Sequence, residues 1–349
     1  MKIIQVTPRY APNSGGVETH VQEISERFVE RGHDVVVLTA DYSSDCPSVE
    51  SQAGVKIRRH RSVAPGGAFH LAPGIVSSIR QVEGDVVHAH NYHSLPVFFT
   101  ALAVRDERFV ATPHYHGGSA SDFRDVLISF YRPLGSFALQ AADRVVAVSE
   151  WERNRLREDF GIEATIIPNG LNPDQFRNAE PYAHDRPYLL TVGRLEAYKG
   201  VQHVIRALPD LPGFDLLVAG SGPYRDELER IAIDTEVGER VEFLGYVSEE
   251  KLPRLYAGAD VFVTLSEFEA YGMTVAEALA AGTPCVVREA GALTEWAENP
   301  SVIGVPEGSP LRISNAICEA LHAEPHSWSP STWDDVTTHL KRVYSASDP

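Results

Sequence analysis

The 349-residue chain is too long for one ordinary core and suits two α/β domains of roughly 150–180 residues each, with 43% hydrophobic residues to fill them. Its formal charge of −17, from 48 acidic against 31 basic side chains, argues against a nucleic-acid partner, whose binding relies on Lys and Arg neutralising phosphates. Three scattered cysteines, Cys46, Cys285 and Cys318, lack CxxC spacing and read as reduced, and the longest uncharged apolar run, Leu95 to Val104, is about half the length a membrane-spanning helix needs.

The N-terminus, Met1-Lys-Ile-Ile-Gln-Val-Thr7, goes straight into a strand without the apolar core and cleavage site of a signal peptide, so a cytoplasmic location is expected. Apolar β-rich runs follow at Lys2–Thr7, Asp34–Thr39, Asp85–His90, Arg108–Thr112, Arg144–Ser149 and Ala164–Pro168, with a helix near Val17–Arg31. The second half repeats the pattern at Pro187–Val192, Phe214–Ala219, Val241–Leu244, Asp260–Leu265, Pro284–Val287 and Val302–Val305. Such alternation predicts two Rossmann-like domains, each a parallel sheet flanked by helices. They are expected at 1–175 and 176–327, with the Pro- and Asn-rich stretch Pro168–Pro187 as the hinge. A tail with helical spacing, about 328–345, is expected to pack back on the first domain.

Six features carry the candidate chemistry. Gly15-Gly16-Val17-Glu18 opens the first helix, where backbone N–H groups can receive an anion, although no GxGxxG fingerprint of an NAD enzyme is present. Thr112-Pro-His-Tyr-His-Gly-Gly118 presents His114 and His116 after a strand, and histidine there can donate a hydrogen bond to a sugar or hold developing charge. His88, His90 and His93 cluster after the preceding strand, but the five histidines come from two loops without HExxH or a Cys partner, so no metal is expected. Thr191–Gly200 places Arg194 and Lys199 at a strand's carboxyl end, one a fork and the other a point charge for a diphosphate, and Ala219-Gly-Ser-Gly-Pro223 lets backbone at Gly220 and Gly222 approach a nucleotide. In Ala259–Val287, read as strand, loop, helix, strand, Glu269 falls in the loop and Glu277 in the first turns of the helix, so both can face one crevice.

In this order and combination the motifs resemble family 4 of the retaining glycosyltransferases, which share the α/β fold called GT-B. The match runs over nearly the whole chain: Gly15–Glu18, His114, Val148-Ser149, Ile167-Pro-Asn-Gly170, Val192-Gly-Arg-Leu195 with Lys199-Gly200, Gly220–Pro223, Phe243–Val247 and the Glu269/Glu277 segment. The resemblance implies two Rossmann-like domains with parallel sheets facing a central cleft, the acceptor on the first and a nucleotide-diphosphate sugar on the second. It implies that Arg194 and Lys199 clamp the diphosphate, that Glu277 hydrogen-bonds the ribose, and that Glu269 contacts the donor sugar. Gly15, Gly16, Gly222, and Tyr271 with the Gly272-Met273-Thr274 helix start complete the implied donor contacts. His114 matches the family's cleft histidine best, with His116 as the alternative.

Two departures stand out. Leu265-Ser266 precedes the first Glu and Ala270-Tyr271-Gly272 follows it, where the family usually has Pro-Ser and Gly-Phe-Gly; Arg288-Glu-Ala-Gly-Ala292 replaces a double glycine. The chain has no Asp-x-Asp, so positive charge on the leaving diphosphate is expected from protein groups, with no cofactor beyond the nucleotide sugar. No carboxylate nucleophile stands out in the first domain, so front-face departure of the diphosphate through an oxocarbenium-like state is expected, rather than a double displacement with carboxyls about 5 Å apart.

The expected acceptor is a hydroxyl of a glycan, a lipid-linked glycan or a small molecule; donor base, linkage and oligomeric state have no motif. Phe123–Phe137 mixes aromatics with arginines and reads first as a buried helix, and second as peripheral contact with the inner membrane face holding a lipid-linked acceptor. The competing readings are a GT-B phosphorylase or sugar-phosphate synthase, a non-catalytic nucleotide-sugar-binding protein, and an oxidoreductase on twin Rossmann domains.

Overall fold

The computed structural model describes residues 1–13, 15–43, 46–64, 69–117, 122–306, 309–323 and 328–346, with backbone alone for 122–129. Contacts divide the chain into two units, Met1–Gly170 with Ser331–Pro349, and Leu171–Pro330. In the first unit the elements are β1 (Lys2–Thr7), α1 (Gly16–Glu30), β2 (Asp34–Thr39), β3 (Val49–Gln52), β4 (Val55–Arg59), α2 (Gly74–Val82), β5 (Val86–His90), α3 (Leu95–Ala103), β6 (Arg108–Thr112), α4 (Asp122–Gln140), β7 (Arg144–Ala147), α5 (Glu150–Phe160) and β8 (Thr165–Ile166). The strands form one sheet in the order β3-β4-β2-β1-β5-β6-β7-β8, parallel except for the β3–β4 hairpin. That hairpin was not anticipated: Val49-Glu-Ser-Gln52 is a short, largely exposed edge strand with little apolar signal.

The strands β1, β2 and β5 are apolar and almost wholly buried, as a sheet covered on both faces requires. Strand order reverses between β1 and β5, so side chains leaving the carboxyl ends of these strands meet at a topological switch point. The last helix of the chain, Trp333–Ser345, belongs to this unit. Its start is fixed by a reciprocal cap in which the Thr332 hydroxyl accepts from the Asp335 N–H and the Asp335 carboxylate accepts from the Thr332 N–H. Tyr344 stacks on Phe28 of α1 with centroids 5.3 Å apart, and Gly170 leaves room for Trp333, since a Cβ there would lie 2.6 Å from the indole.

The second unit holds α6 (Pro173–Arg177), β9 (Tyr188–Val192), α7 (Val201–Ala207), β10 (Asp215–Ala219), α8 (Arg225–Asp234), β11 (Val241–Gly245), α9 (Leu252–Gly258), β12 (Val261–Thr264), α10 (Met273–Ala280), β13 (Cys285–Arg288), α11 (Leu293–Trp296), β14 (Val302–Val305) and α12 (Pro310–Ala320); the helix Trp333–Ser345 is then α13. Its six strands are all parallel in the order β11-β10-β9-β12-β13-β14, which in chain order is the doubly wound 3-2-1-4-5-6 pattern with its switch between β9 and β12. Two apolar clusters sandwich the sheet, one around Leu189, Val204, Leu228 and Ile317, the other around Leu190, Tyr256, Phe262 and Val275. Among the described residues no helix is long and apolar enough to cross a membrane.

Candidate functional site

At the β9/β12 switch of the second unit lies a small recess, lined among others by Thr191, Gly193, Arg194, Leu195, Lys199 and Thr264. The glycines around it serve close approach of backbone to backbone. A Cβ on Gly220, whose φ is 139°, would lie 1.8 Å from the Gly193 carbonyl oxygen, and one on Gly222 would lie 2.3 Å from that of Leu195. The loops after β9 and β10 are thereby laced together, Leu195 N–H donating to Ser221 O at 2.9 Å and Tyr224 N–H to Leu195 O at 3.0 Å. Gly222 therefore has a packing reason of its own, besides the approach to a nucleotide read from the sequence.

Two cations border this recess. Lys199 ends a single 3-10 turn, Ala197–Lys199, and Gly200 after it has φ 74° with no space for a side chain, because a Cβ would lie 2.4 Å from Leu265 O. The Lys199 ammonium donates to Glu269 Oε1 at 2.6 Å. Burial alone would lower the lysine's pKa, but the adjacent Glu269 carboxylate outweighs it and holds the group above its ordinary value, so Lys199 stays charged. Arg194 is more exposed, with Nη1 3.1 Å from Glu196 Oε1. A bound diphosphate would take Lys199 over from Glu269 and be met by Arg194 from the open side.

Glu269 sits in the loop after β12, and the sequence that departs from the family holds its backbone: the Ala292 N–H donates to Glu269 O at 2.9 Å, and Gly291, at φ 58°, leaves no space for a Cβ, which would be 2.8 Å from the same oxygen. Gly272, at φ 96°, starts α10, and Tyr271, Met273 and Thr274 flank it, half-buried. The Tyr271 carbonyl accepts from the Trp296 indole N–H at 2.5 Å. Glu277, one turn into α10, is not joined to Lys199. It accepts a hydrogen bond from the Tyr256 hydroxyl of α9 at 2.8 Å, and burial pushes its carboxyl up to about 7, with the Tyr256 bond pulling the other way. Tyr256 was not singled out in the sequence, since a helical tyrosine among apolar neighbours looks like core.

The remaining candidates lie on the first unit. A Cβ on Gly15 would be 2.5 Å from the Glu18 carboxylate, itself ion-paired to Arg9 at 2.8 Å, whereas Gly16 faces open space. The Gly15 side of the α1 turn is thus already occupied by an acidic group, which an incoming anion would have to displace. His114 follows β6, is buried, and has a left-handed backbone at φ 47°. Burial and neighbouring imidazoles hold its pKa well below the ordinary value. Its ring stands edge-on to His20 of α1, with centroids 5.0 Å apart, and 6.0 Å from His90. His116 lies elsewhere, stacked on His93 at 4.1 Å. His20 was missed because one histidine on an amphipathic helix carries no spacing signal. Gly118 lies outside the described residues.

Comparison with known proteins decides the family. The model described as Glycosyltransferase Family 4 matches residues 14–175, and that described as Glycosyl transferases group 1 matches 173–330. An uncharacterized glycosyltransferase of Methanocaldococcus jannaschii, MJ1607, is 30% identical, covering 99% of this chain and 98% of its own length. The chain belongs to the group 1 glycosyltransferases. Among other relatives of this glycosyltransferase is the GDP-mannose-dependent alpha-(1-6)-phosphatidylinositol monomannoside mannosyltransferase of Mycobacterium tuberculosis, 27% identical over 92% of this chain and 89% of its own. The crystal structure of Anabaena HepE in complex with UDP and glucose superposes with a TM-score of 0.81 at 17% identity, covering 99% of this chain and 100% of the other. The glycosyltransferase therefore has the GT-B fold and is a transferase acting on sugars.

Proposed function

We propose that this glycosyltransferase moves a sugar, with retention of anomeric configuration, from a nucleotide-diphosphate sugar to a hydroxyl of a glycan or lipid-linked acceptor, with protein cations instead of a metal ion on the diphosphate. The observation that carries the reading is the recess at the β9/β12 switch point, bordered by Arg194 and Lys199. In the proposed mechanism these two stabilise the charge that develops on the departing diphosphate, and Glu269 passes from Lys199 to a hydroxyl of the donor sugar. Glu277 accepts from the ribose hydroxyls. Tyr271 and the Gly272-Met273-Thr274 backbone at the start of α10 meet the phosphates, favoured by the helix dipole. His114 serves the cleft side of the first unit, and Gly15 and Gly16 add backbone contacts to the donor.

A lipid-linked acceptor is favoured by the exposed face of α4. Phe130, 79% exposed, and Leu134 and Phe137 stand at helical spacing on it, with Leu102 of α3 exposed as well. The same helix buries Tyr131, Ala138 and Leu139, so of the two readings of this segment the buried one describes only one face; the side chains of 123–129 lie outside the described residues. An apolar stripe of this kind suits peripheral contact with a bilayer. Incubation with a panel of nucleotide sugars and acceptors, with inorganic phosphate and sugar phosphates as separate arms, tests the reading: transfer to phosphate alone would replace it with a phosphorylase.

A further inference from the structure

We propose that the first unit carries a divalent transition-metal site of the zinc class, held by His20, His90 and His114 at the carboxyl end of its sheet. The three come from three different elements, α1, β5 and the loop after β6, and converge at the β1/β5 switch point. All are at least nine-tenths buried, with relative exposures of 2%, 0% and 7%. One ring nitrogen from each lies within 4.8 Å of those of the other two, and among the described residues no other set of three His, Cys, Asp or Glu side chains comes together in this way. Three points no more than 4.8 Å apart have a centre within about 2.8 Å of each, so reaching a tetrahedral site with zinc–nitrogen distances of about 2.0–2.1 Å takes side-chain shifts of at most about 0.8 Å.

The hydrogen bonds fix which nitrogens are available. His20 Nδ1 is 2.8 Å from the amide oxygen of Asn169, and His90 Nε2 is 2.8 Å from that of Gln5. A carbonyl oxygen only accepts, so each of these nitrogens carries the proton, and His20 Nε2 and His90 Nδ1 are left as bare acceptors. Both are buried without a partner, and so is His114 Nε2. His88, next to His90, is different. It is bonded on both sides, Nδ1 at 2.6 Å to the Tyr344 hydroxyl and Nε2 at 2.7 Å to that of Thr112, which leaves no ring nitrogen for an ion.

An imidazole whose far nitrogen donates to an amide oxygen, and whose near nitrogen is stripped of water, is the arrangement that orients a histidine for a metal. An all-imidazole set suits zinc, with one enclosed water to complete four-coordination. The expectation of no metal from the sequence considered only two loops; the third ligand is on α1.

The test reads binding, apart from sugar transfer. Chelator-stripped full-length protein is titrated with Zn²⁺ by calorimetry and with Co²⁺ by visible absorption, alongside His20→Gln, His90→Gln and a surface control, His322→Gln. The expected result is one equivalent bound by wild type and His322→Gln, four-coordinate cobalt bands, and loss of that equivalent in His20→Gln and His90→Gln. Asn169→Ala, which removes no ligand, is expected to weaken zinc by about 10–100-fold and keeps the test open if a histidine variant does not fold. No uptake by wild type, or uptake unchanged in folded His20→Gln, His90→Gln or Asn169→Ala, overturns the proposal.

Discussion

Glu277 gives the sharpest prediction, because its environment sets a pH at which nucleotide binding should change. Burial lifts the carboxyl to about 7, against the pull of the Tyr256 hydroxyl. Ribose hydroxyls offer hydrogens, so the ionised carboxylate is the form that accepts from both of them. With a midpoint near 7, about one carboxyl in eleven is ionised at pH 6 and about ten in eleven at pH 8. The dissociation constant of the nucleoside diphosphate should therefore fall about tenfold over that interval, about 1.4 kcal/mol. Calorimetry with whichever of UDP, GDP and ADP binds most tightly, in buffers of different ionisation enthalpy, would measure both the affinity and the proton released. Glu277→Gln should flatten the dependence to whatever the diphosphate itself contributes, and Tyr256→Phe should move the midpoint upward, because it removes the bond that favours the charged form. An unchanged pH profile and affinity in Glu277→Gln would refute the ribose assignment.

Other outcomes follow from the same geometry. Arg194→Ala and Lys199→Ala should each lower kcat/KM by roughly 10²–10³, the usual loss of one preorganised donor to developing charge; near-wild-type turnover would remove the clamp. Gly220→Ala, which drives a Cβ to 1.8 Å from Gly193 O at a φ of 139°, should cost about 2 kcal/mol or more and lower Tm in a thermal melt, and an unchanged Tm would mean the β9 and β10 loops are not packed as described. Phe130→Ser with Phe137→Ser should reduce flotation with anionic liposomes at both low and high salt without changing transfer to a soluble acceptor. Equal flotation would take the membrane contact off α4.

Apart from β3 and β4, the strands of both sheets were legible because each is a short apolar run closed by turn residues, and β1, β2 and β6 begin and end where the pattern does. The β3–β4 hairpin was hidden because Val49-Glu-Ser-Gln52 buries almost nothing and so carries no alternation to read. At the candidate site the loop positions of Arg194, Lys199 and Glu269 follow from strand ends. The pairing of Lys199 with Glu269 does not, since 70 positions separate them and only the 3-D switch point joins their loops. Gly222 illustrates the opposite hazard. A glycine after a strand reads as room for a ligand, and here the neighbouring Leu195 carbonyl fills that room. His20 was out of reach of any spacing rule, its partner Asn169 lying 149 residues away.

The central claim is retaining transfer from a nucleotide-diphosphate sugar, and the most direct measurement is NMR of the product anomer after incubation with the nucleotide sugar that turns over. The one-bond carbon–proton coupling at the anomeric centre of the new linkage should report the same anomeric configuration as the donor's. Inversion of that configuration, or no transfer from any nucleotide sugar, would contradict it.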